Sequence, residues 1–256
     1  MIMKNYFDIK GKNAVVTGAS SGIGAQWAKA LASQGVNVAI VARRAERLEE
    51  NKKYIEKEYG VKCMAVPCDI TDEEQIKNMA GKVLEEFGNI DILVNNAGVV
   101  IKGAFLDQTT EDWDKVLNTN LKSIYLVTKY IVPNMIENKY GKIINTSSIG
   151  CVAANKGQVG YYTSKAGVIN LTRALAAEFA PYGITVNAIG PGVYDTEMTH
   201  EHLSGEFAKH IAASLPLGKW GDIDDMDGIL IYFASDASKY CTGQNILIDG
   251  GKTSML

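Results

Sequence analysis

The stretch that decides the fold is Thr17-Gly18-Ala19-Ser20-Ser21-Gly22-Ile23-Gly24. A short β-branched run, Asn13–Thr17, precedes it, and a helical pattern follows it over Ala25–Gln34. Glycines at such a turn let the backbone approach a phosphate, and the helix start offers free N–H groups and a positive dipole end. The stretch therefore predicts a strand, a phosphate-binding turn and a helix, although its glycine spacing is not that of the common GxGxxG fingerprint.

Six further apolar runs alternate with helical patterns along the rest of the chain. The runs are Val36–Ala42, Val61–Val66, Asp91–Asn95, Lys142–Thr146, Ile184–Ile189 and Asn245–Asp249. The other helical patterns are Arg44–Tyr59, Asp72–Phe87, Glu111–Glu137, Tyr161–Phe179 and Asp224–Ala234. Continuous apolar strands separated by helices indicate a parallel sheet that is buried on both faces. We therefore predict an α/β fold: a doubly wound Rossmann-type sandwich with a seven-stranded parallel sheet and helices on both faces.

The organisation of the chain predicts one domain over residues 1–256, because no linker, repeat or low-complexity stretch divides it. One irregular segment, at about 191–219, follows the sixth predicted strand and contains several glycines and prolines. Ligands of open α/β sheets bind beyond the carboxyl ends of the strands, so this segment is interpreted as a substrate lid. An ordinary surface excursion is the alternative.

Composition and charge exclude several classes of function. The net charge of −3 and the absence of a basic patch argue against nucleic-acid binding. No apolar run reaches the roughly 20 residues that a membrane span needs. The four cysteines, Cys63, Cys68, Cys151 and Cys241, form no CxxC pair, and no His/Cys group has zinc spacing. We therefore expect reduced thiols, a cytoplasmic location, no metal and no membrane or nucleic-acid partner.

Three strand ends complete the prediction of a dinucleotide site. The second strand ends at Ala42 without the acidic residue that an NAD site places there, and Arg43 follows, which can clamp a 2′-phosphate. Arg43 could instead merely cap an exposed helix, or the strand could end one residue away, which would make Arg44 the clamp. Asp69 could accept from an adenine amino group, and the small residues Asn95–Gly98 permit close backbone approach. The predicted cofactor is NADP(H).

A second group of residues predicts acid–base chemistry. Tyr161 and Lys165 are four positions apart in a helical stretch, so they share one helix face. The ammonium is expected to lower the phenol pKa from its reference value of about 10. Ser148 ends the fifth strand and could hold a substrate oxygen near the phenol. Asn120 lies inside the long helical pattern, where a kink with a water relayed to Lys165 would give it partners.

These motifs together resemble the short-chain dehydrogenase/reductase family over nearly the whole chain. The resemblance implies a metal-free nicotinamide-dependent oxidoreductase with the catalytic tetrad Asn120, Ser148, Tyr161 and Lys165, in which Lys165 also binds the nicotinamide ribose. Ser123, where glycine is more usual, is a small departure. The strand ends and the resemblance together predict these cofactor contacts: Gly18, Ser20, Ser21, Ile23, Gly24, Arg43, Asp69, Ile70, Asn96, Ala97, Gly98, Tyr161, Lys165, Pro191, Gly192, Val193 and Thr196.

The resemblance also implies a homotetramer built on the helices Glu111–Glu137 and Tyr161–Phe179. Their outer apolar surfaces, for example Val127, Leu171 and Leu175, exceed what the sheet needs.

The substrate is a small-molecule carbonyl or alcohol, and its identity is less determined. The segments Asn187–Gly192, Thr196–Thr199 and Leu217–Asp222 look similar to gluconate 5-dehydrogenases and related sugar-acid and polyol enzymes. Alternatives are 3-oxoacyl-thioester reductases, hydroxysteroid dehydrogenases and a regulator that only senses NADP(H). Lys102 and Lys156 could meet an anionic substrate or face water. The histidines of the lid segment, His200, His202 and His210, are interpreted as exposed side chains.

Overall fold

A computed structural model describes residues 5–197, 199, 209–210 and 212–255 of the chain. Seven parallel strands form one sheet in the order β3-β2-β1-β4-β5-β6-β7. The strands are β1 Asn13–Thr17, β2 Asn37–Ala42, β3 Cys63–Pro67, β4 Ile92–Asn95, β5 Gly141–Thr146, β6 Ile184–Pro191 and β7 Asn245–Ile248. The central strands are buried along their whole length, and apolar residues accordingly make up most of their sequences. The predicted seven-stranded parallel sheet is confirmed.

Helices cover both faces of the sheet. They are α1 Gly22–Ser33, α2 Ala45–Tyr59, α3 Glu73–Phe87, α4 Thr110–Leu117, α5 Ser123–Asn138, α6 Val159–Phe179 and α7 Asp227–Ala234. Trp27 of α1, Leu48 of α2 and Leu230 of α7 pack into one core, on one face of the sheet. Ile76 of α3 and Ile131 of α5 pack into a second core, on the opposite face. The predicted doubly wound sandwich is confirmed.

The strand order places the ligand-binding edge of the sheet. β1 pairs with β2 on one side and with β4 on the other, so the chain reverses its direction of travel across the sheet at β1. Thr17, the last residue of β1, lies beside Val41 near the end of β2. Open α/β sheets bind ligands in the crevice at such a switch point, beyond the carboxyl ends of the strands. The loops after β1, β2 and β4 therefore meet at one edge.

The start of the predicted lid continues the sheet. β6 runs two residues further than expected and pairs Pro191 with Ile248 of β7. The Tyr194 hydroxyl donates to the carbonyl of Ile248 at 2.9 Å, and Tyr194 pairs with Gly221 in an isolated parallel bridge. The first part of the segment is therefore fixed by backbone pairing.

The remainder of the lid prediction is only partly within the described residues. His200, His202 and the whole range 200–208 lie outside them, whereas His210 is exposed as expected. The lid over 191–219 stays a prediction.

One part of the surface prediction is wrong. Val127, which we expected on an outer apolar face of the long helix, is only 1% exposed and packs into the core on the side of α3. Leu171 and Leu175 are half-buried, and Leu175 packs against the same core. The spacing of apolar residues cannot tell which stripe of a helix faces the sheet when the helix is apolar on several sides.

A buried carboxyl group connects α1 to α7. Oδ2 of Asp227 accepts from the Gln26 amide at 2.8 Å, but Oδ1 is buried and has no hydrogen-bond partner among the described residues. Burial raises the pKa of Asp227 to about 6, although the hydrogen bond from Gln26 opposes the shift. A carboxyl group whose pKa is raised by folding lowers stability as pH increases from its unfolded pKa of about 4 to its folded pKa.

We expect Asp227→Asn to stabilise the protein at neutral pH and to have less effect at pH 4, where the parent carboxyl is already protonated in the folded state. The free energy of unfolding of the variant relative to the parent should rise by about 1–2 kcal/mol between pH 4 and pH 7.5. Urea unfolding at both pH values measures this difference. Glu50→Gln, which removes an exposed carboxylate of α2, is the control, and an equal gain at both pH values for Asp227→Asn would contradict the prediction.

Candidate active site

A cavity of about 950 Å³ runs along the carboxyl edge of the sheet. Predicted cofactor residues that line it are Gly18, Ser20, Ser21, Ile23, Arg43, Asp69, Ile70, Asn96, Ala97, Gly98, Pro191, Gly192 and Thr196. Ser148, Tyr161 and Lys165 line the same cavity, which joins the predicted cofactor and catalytic groups in one space. Gly24, Val193 and Asn120 are not part of its wall.

The glycine-rich turn is shaped by a neighbouring loop. Gly18 has a φ of +69°, and a Cβ atom there would lie 2.8 Å from the Cα atom of Ala97. A Cβ atom on Gly24 would lie 2.5 Å from the Gly18 carbonyl oxygen. Gly24 therefore permits close packing of α1 behind the turn, whereas Gly18 lies at the cavity wall.

The N-terminus of α1 points to an anion site. Its N-cap, Ser21, has extended backbone and makes no side-chain cap to the helix, and the first turn contains no acidic residue. The first N–H groups of a helix lack partners within the helix and carry a positive dipole end. The turn thus offers donors and positive potential to a phosphate.

Thr17 and Asn96 join the first and fourth strand ends. The Thr17 hydroxyl accepts from the backbone N–H groups of Asn96 and Ala97, at 3.0 and 3.3 Å. The Asn96 side-chain amide donates to the Thr17 carbonyl at 3.1 Å. Asn96 thus fixes the loop against the glycine-rich turn, and its predicted cofactor contact stays a prediction.

At the third strand end, Asp69 is committed to its own loop. One carboxylate oxygen accepts from the backbone N–H and the hydroxyl of Thr71, at 2.9 and 2.8 Å. The backbone N–H of Asp69 donates to the Gln75 side chain at 2.9 Å. The carboxylate is therefore held in one position at the cavity wall, and its contact with an adenine amino group stays a prediction.

The end of β2 carries two arginines in different environments. β2 ends at Ala42, as predicted, and Arg43 lines the cavity without a hydrogen bond or ion pair to any described residue. Arg44 donates to the Ser20 hydroxyl from Nε and Nη2, at 3.1 and 2.9 Å, and to the Ser21 hydroxyl at 2.6 Å. Arg44 therefore braces the glycine-rich turn, and Arg43 is the cation left for a ligand.

The predicted catalytic residues lie after the end of β5 and near the start of α6. Ser148 is buried, and its Oγ accepts from the backbone N–H of Gly150 at 3.0 Å, which leaves its hydroxyl proton for another acceptor. The Lys165 ammonium donates to the Thr146 carbonyl at 2.8 Å and lies 5.7 Å from the centre of the Tyr161 ring. The three side chains thus converge at one point of the cavity, as their spacing predicts.

The expected effect of Lys165 on the phenol is not what the structure gives. Burial raises the pKa of Tyr161 above its ordinary value, and a hydrogen bond with Ser148 only partly opposes the shift. Burial also lowers the pKa of Lys165 to about 8. Desolvation is the largest cause of both shifts, and a phenol whose pKa is raised stays protonated at neutral pH.

The long helix that we predicted over Glu111–Glu137 is interrupted. A π-helical turn at Asn118–Lys122 separates α4 from α5 and contains Asn120. The Asn120 side chain accepts from the Val99 N–H at 2.8 Å and donates to the Val99 carbonyl and the Ser164 hydroxyl, at 2.9 and 3.0 Å. The helix is interrupted where the kink is predicted, Asn120 has protein partners there, and the water relayed to Lys165 stays a prediction.

Asn120 acts on the catalytic helix through Ser164. The Ser164 hydroxyl accepts from Asn120 and donates to the backbone carbonyl of Tyr161 at 2.6 Å. Both Asn120 and Ser164 are fully buried. The contact ties the loop after β4 to the first turn of α6, so Asn120 positions Tyr161 without bordering the cavity.

Tyr162 is a packing residue. Its ring leaves no room for a side chain at Gly150, where a Cβ atom would lie 2.6 Å from the Tyr162 ring. It meets the Tyr161 ring edge to face, with ring centres 5.8 Å apart. The assignment of the acid–base role to Tyr161 rather than Tyr162 therefore agrees with their positions.

Sequence reasoning missed one residue with a clear place in the site. Glu197 lines the cavity and forms ion pairs with Arg44, at 3.0 Å, and with Arg47. No sequence signal joins a carboxylate after β6 to an arginine 150 positions earlier. The only hint in the sequence is that Glu197 directly follows Thr196, a predicted cofactor contact.

Two findings concern other classes of site. Within the described ranges, no three His, Cys, Asp or Glu side chains are grouped in a way that could hold a metal ion. In the same ranges, no helix is both long and apolar enough to pass through a bilayer.

Comparison with known proteins agrees with this geometry. The family model described as enoyl-(acyl carrier protein) reductase matches residues 18–253. The chain is 39% identical over 241 residues to 3-oxoacyl-(acyl-carrier-protein) reductase FabG of Staphylococcus aureus, covering 94% of this chain and 97% of the relative.

Two solved structures are also similar. A proposed gluconate dehydrogenase from Agrobacterium tumefaciens superimposes with a TM-score of 0.95 and 36% identity, over 99% of this chain and 100% of the other. A gluconate 5-dehydrogenase from Burkholderia cenocepacia, solved with NADP and tartrate, has a TM-score of 0.94 and 30% identity, over 98% of each chain. With its sheet order and the Ser148, Tyr161 and Lys165 group, the chain belongs to the short-chain dehydrogenase/reductase family of oxidoreductases.

Proposed function

We propose that this protein is an NADP(H)-dependent oxidoreductase that interconverts a carbonyl and a secondary alcohol on a sugar acid or polyol. The observation that carries the proposal is the single cavity that contains Arg43 at one end and Tyr161 with Ser148 at the other. Arg43 supplies a cation where a 2′-phosphate is recognised, and the phenol supplies a proton where hydride chemistry requires one.

The residues of the cavity fit a dinucleotide. The uncapped N-terminus of α1 suits the pyrophosphate, and a Cβ atom at Gly22 would meet nothing closer than 3.7 Å, so the backbone is open to a ligand there. Gly98 lies beside Lys165, where the ribose next to the nicotinamide would be held. When bound, the nicotinamide supplies or accepts the hydride; the protein binds and orients the reactants.

The proton chemistry follows from the environment of Tyr161. A phenol whose pKa is raised by burial stays protonated at neutral pH and can donate to an oxygen that gains negative charge during reduction. The Ser148 hydroxyl can donate to the same oxygen and align it with the phenol. The buried Lys165 ammonium supplies positive charge close to the oxygen, provided that the pH is below its lowered pKa of about 8. The protonated phenol is therefore the form that a reduction requires at neutral pH.

Two adjoining loops, which follow β4 and β5, support an anionic substrate. The backbone N–H of Gly103 donates to the Gly157 carbonyl at 3.0 Å. The Gln108 side-chain amide donates to the carbonyls of Gly103 and Gly157. Lys102 and Lys156 immediately precede these two glycines and are exposed. Two cations on adjoining loops suit a carboxylate substrate, which agrees with the solved gluconate dehydrogenases among the similar structures.

The second candidate is a 3-oxoacyl-thioester reductase. The relative from Staphylococcus aureus carries that name at 39% identity and near-complete coverage. The same catalytic group would serve that reaction, because both substrates present a ketone to be reduced. The two candidates differ only in what lies beyond the ketone.

A substrate panel tests the proposal. Purified protein is mixed with NADPH and, in turn, 5-keto-gluconate, acetoacetyl-coenzyme A and a ketosteroid, and the loss of NADPH absorbance is followed. We expect the highest kcat/KM with the keto acid. A clear preference for the thioester would favour the second candidate, and no turnover with any carbonyl would indicate a cofactor-sensing protein instead.

We also propose a homotetramer built on the helices Glu111–Glu137 and Tyr161–Phe179, and exposed apolar side chains in and before the first of these support the proposal. Phe105 and Leu106 are 69% and 91% exposed in the loop before α4, and Trp113 of α4 and Tyr125 of α5 are exposed as well. Clusters of large exposed apolar side chains on one region of a protein often mark an interface. Light scattering should give a mass near 111 kDa, four times the 27.7 kDa of one chain. Leu106→Glu should shift the protein to smaller species, and a monomeric parent would contradict the proposal.

A further inference from the structure

Glu197 connects three parts of the cavity wall. Oε2 accepts from the Ser21 hydroxyl of the glycine-rich turn at 2.9 Å and from Nη1 of Arg44 at 3.0 Å. Oε1 accepts from Nη1 of Arg47 on the first turns of α2. One carboxylate from the segment after β6 therefore lies within the cationic group at the end of β2.

The carboxylate carries its charge at any working pH. Hydrogen bonds from Arg47, Ser21 and Arg44 lower the pKa of Glu197 to about 2. The side chain is about half exposed, so it is stabilised by these contacts rather than by burial. Glu197 is thus a permanent negative charge at the place where the fold presents its ribose-binding strand end.

A phosphate and this carboxylate compete for the same electrostatic environment. Arginine forks bind either group by paired hydrogen bonds, and the donors of Arg44 are already shared among Ser20, Ser21 and Glu197. Arg43 and Glu197 line the same cavity, so a phosphate bound at Arg43 approaches this carboxylate, and charges closer than the Debye length of ~8 Å interact. Their repulsion is then only partly screened.

We propose that Glu197 is a specificity-determining residue that limits the preference of this enzyme for NADP(H) over NAD(H), by placing a carboxylate among the arginines that attract the 2′-phosphate. The inference rests on the proposed function, in which Arg43 receives that phosphate. It explains why a site with three arginines at the start of α2 contains an acidic partner supplied from the other side of the cavity.

The backbone around Glu197 does not depend on its carboxylate. The backbone N–H of Thr196 donates to the Thr199 hydroxyl at 3.0 Å, and that hydroxyl donates to the Tyr194 carbonyl. Tyr194 is in turn fixed to β7 through Ile248. Removal of the charge should therefore leave the segment in place, and the variant reports on electrostatics.

The test compares nucleotide binding without turnover. Isothermal titration calorimetry measures the Kd values of NADP⁺ and NAD⁺ for the parent, for Glu197→Gln and for Glu197→Ala. We expect both variants to bind NADP⁺ about threefold to tenfold more tightly and NAD⁺ within twofold of the parent, with a gain that shrinks at high salt. Adenosine 2′,5′-bisphosphate against adenosine 5′-monophosphate should show the same difference. Glu50→Gln removes an exposed negative charge from α2, the helix that carries Arg47. It should leave the ratio of the two Kd values unchanged.

The outcomes separate this inference from the proposed function. If the variants bind both nucleotides equally more weakly, Glu197 has only a structural role. If they bind NADP⁺ alone more weakly, Glu197 orients the arginines for the phosphate. Either result, or an unchanged ratio in a parent that binds both nucleotides, overturns the inference and leaves the oxidoreductase proposal intact. A parent that binds neither nucleotide overturns both.

Discussion

Tyr161→Phe should lower kcat by about 10²- to 10⁴-fold while the Kd for NADP⁺ stays within a few-fold of the parent. The substitution keeps the aromatic ring that meets Tyr162 edge to face and removes only the phenolic proton. Since burial holds the parent phenol protonated, this proton is available at neutral pH and its loss leaves Ser148 without an acid beside it. Steady-state rates on the best substrate of the panel, with calorimetric cofactor binding, measure both quantities.

Tyr162→Phe is the matched control for this prediction. It removes a phenol one position away, and the Tyr162 ring packs over Gly150 rather than beside Lys165. We expect this variant to retain kcat within a factor of a few. If the two variants lose activity equally, or if Tyr161→Phe stays within a few-fold of the parent, the assignment of the acid is wrong.

The fold could be predicted from the sequence because its strands are buried on both faces. The bounds predicted for β1, Asn13–Thr17, are those of the structure, and β2 ends at the predicted residue, Ala42. Such strands read as short apolar runs, and glycine or charged residues mark their ends. The order in which they pair follows from right-handed crossovers and a switch point beside β1. Local pattern and global topology therefore agree in this chain.

The details that could not be predicted depend on contacts between distant segments. The helix break at Asn118–Lys122 contains no proline or glycine, and it is stabilised by the bonds from Asn120 to Val99 and Ser164. Glycine spacing likewise did not separate the roles of Gly18 and Gly24, because these depend on which backbone passes behind each one. Tertiary partners decided each case, and a window of sequence does not contain them.

The pKa directions in the active site are a second case of this kind. The four-residue spacing of Tyr161 and Lys165 places them on one helix face, and proximity alone suggests that the ammonium lowers the phenol pKa. The structure shows both groups desolvated by the surrounding strands and loops, which raises one pKa and lowers the other. Burial is a property of the whole fold, so spacing predicted the pair but not its electrostatics.

Arg43→Ala should reduce kcat/KM for NADPH by about 10- to 100-fold and change that for NADH by less than threefold. The reason is that Arg43 lines the cavity at the end of β2 without a partner among the described residues, so its guanidinium is available to the 2′-phosphate. A charge-assisted contact of this kind contributes ~1.5–3 kcal/mol. Ala42→Asp should shift the preference toward NADH, because a carboxylate there repels the phosphate and accepts from the ribose hydroxyls.

Arg44→Ala distinguishes the two arginines. Arg44 braces Ser20 and Ser21 of the glycine-rich turn and holds Glu197, so its loss should weaken both cofactors and change the ratio of their kcat/KM values much less than Arg43→Ala does. The measurement is kcat/KM with NADPH and NADH for the parent and the three variants at one ionic strength, because salt screens these contacts. A ratio that moves with Arg44→Ala and not with Arg43→Ala would assign the 2′-phosphate contact to Arg44. A parent that prefers NADH would mean that neither arginine has this role. A ratio that moves only with Arg43→Ala and Ala42→Asp would place the recognition of the 2′-phosphate at the last residue of β2 and the one that follows it.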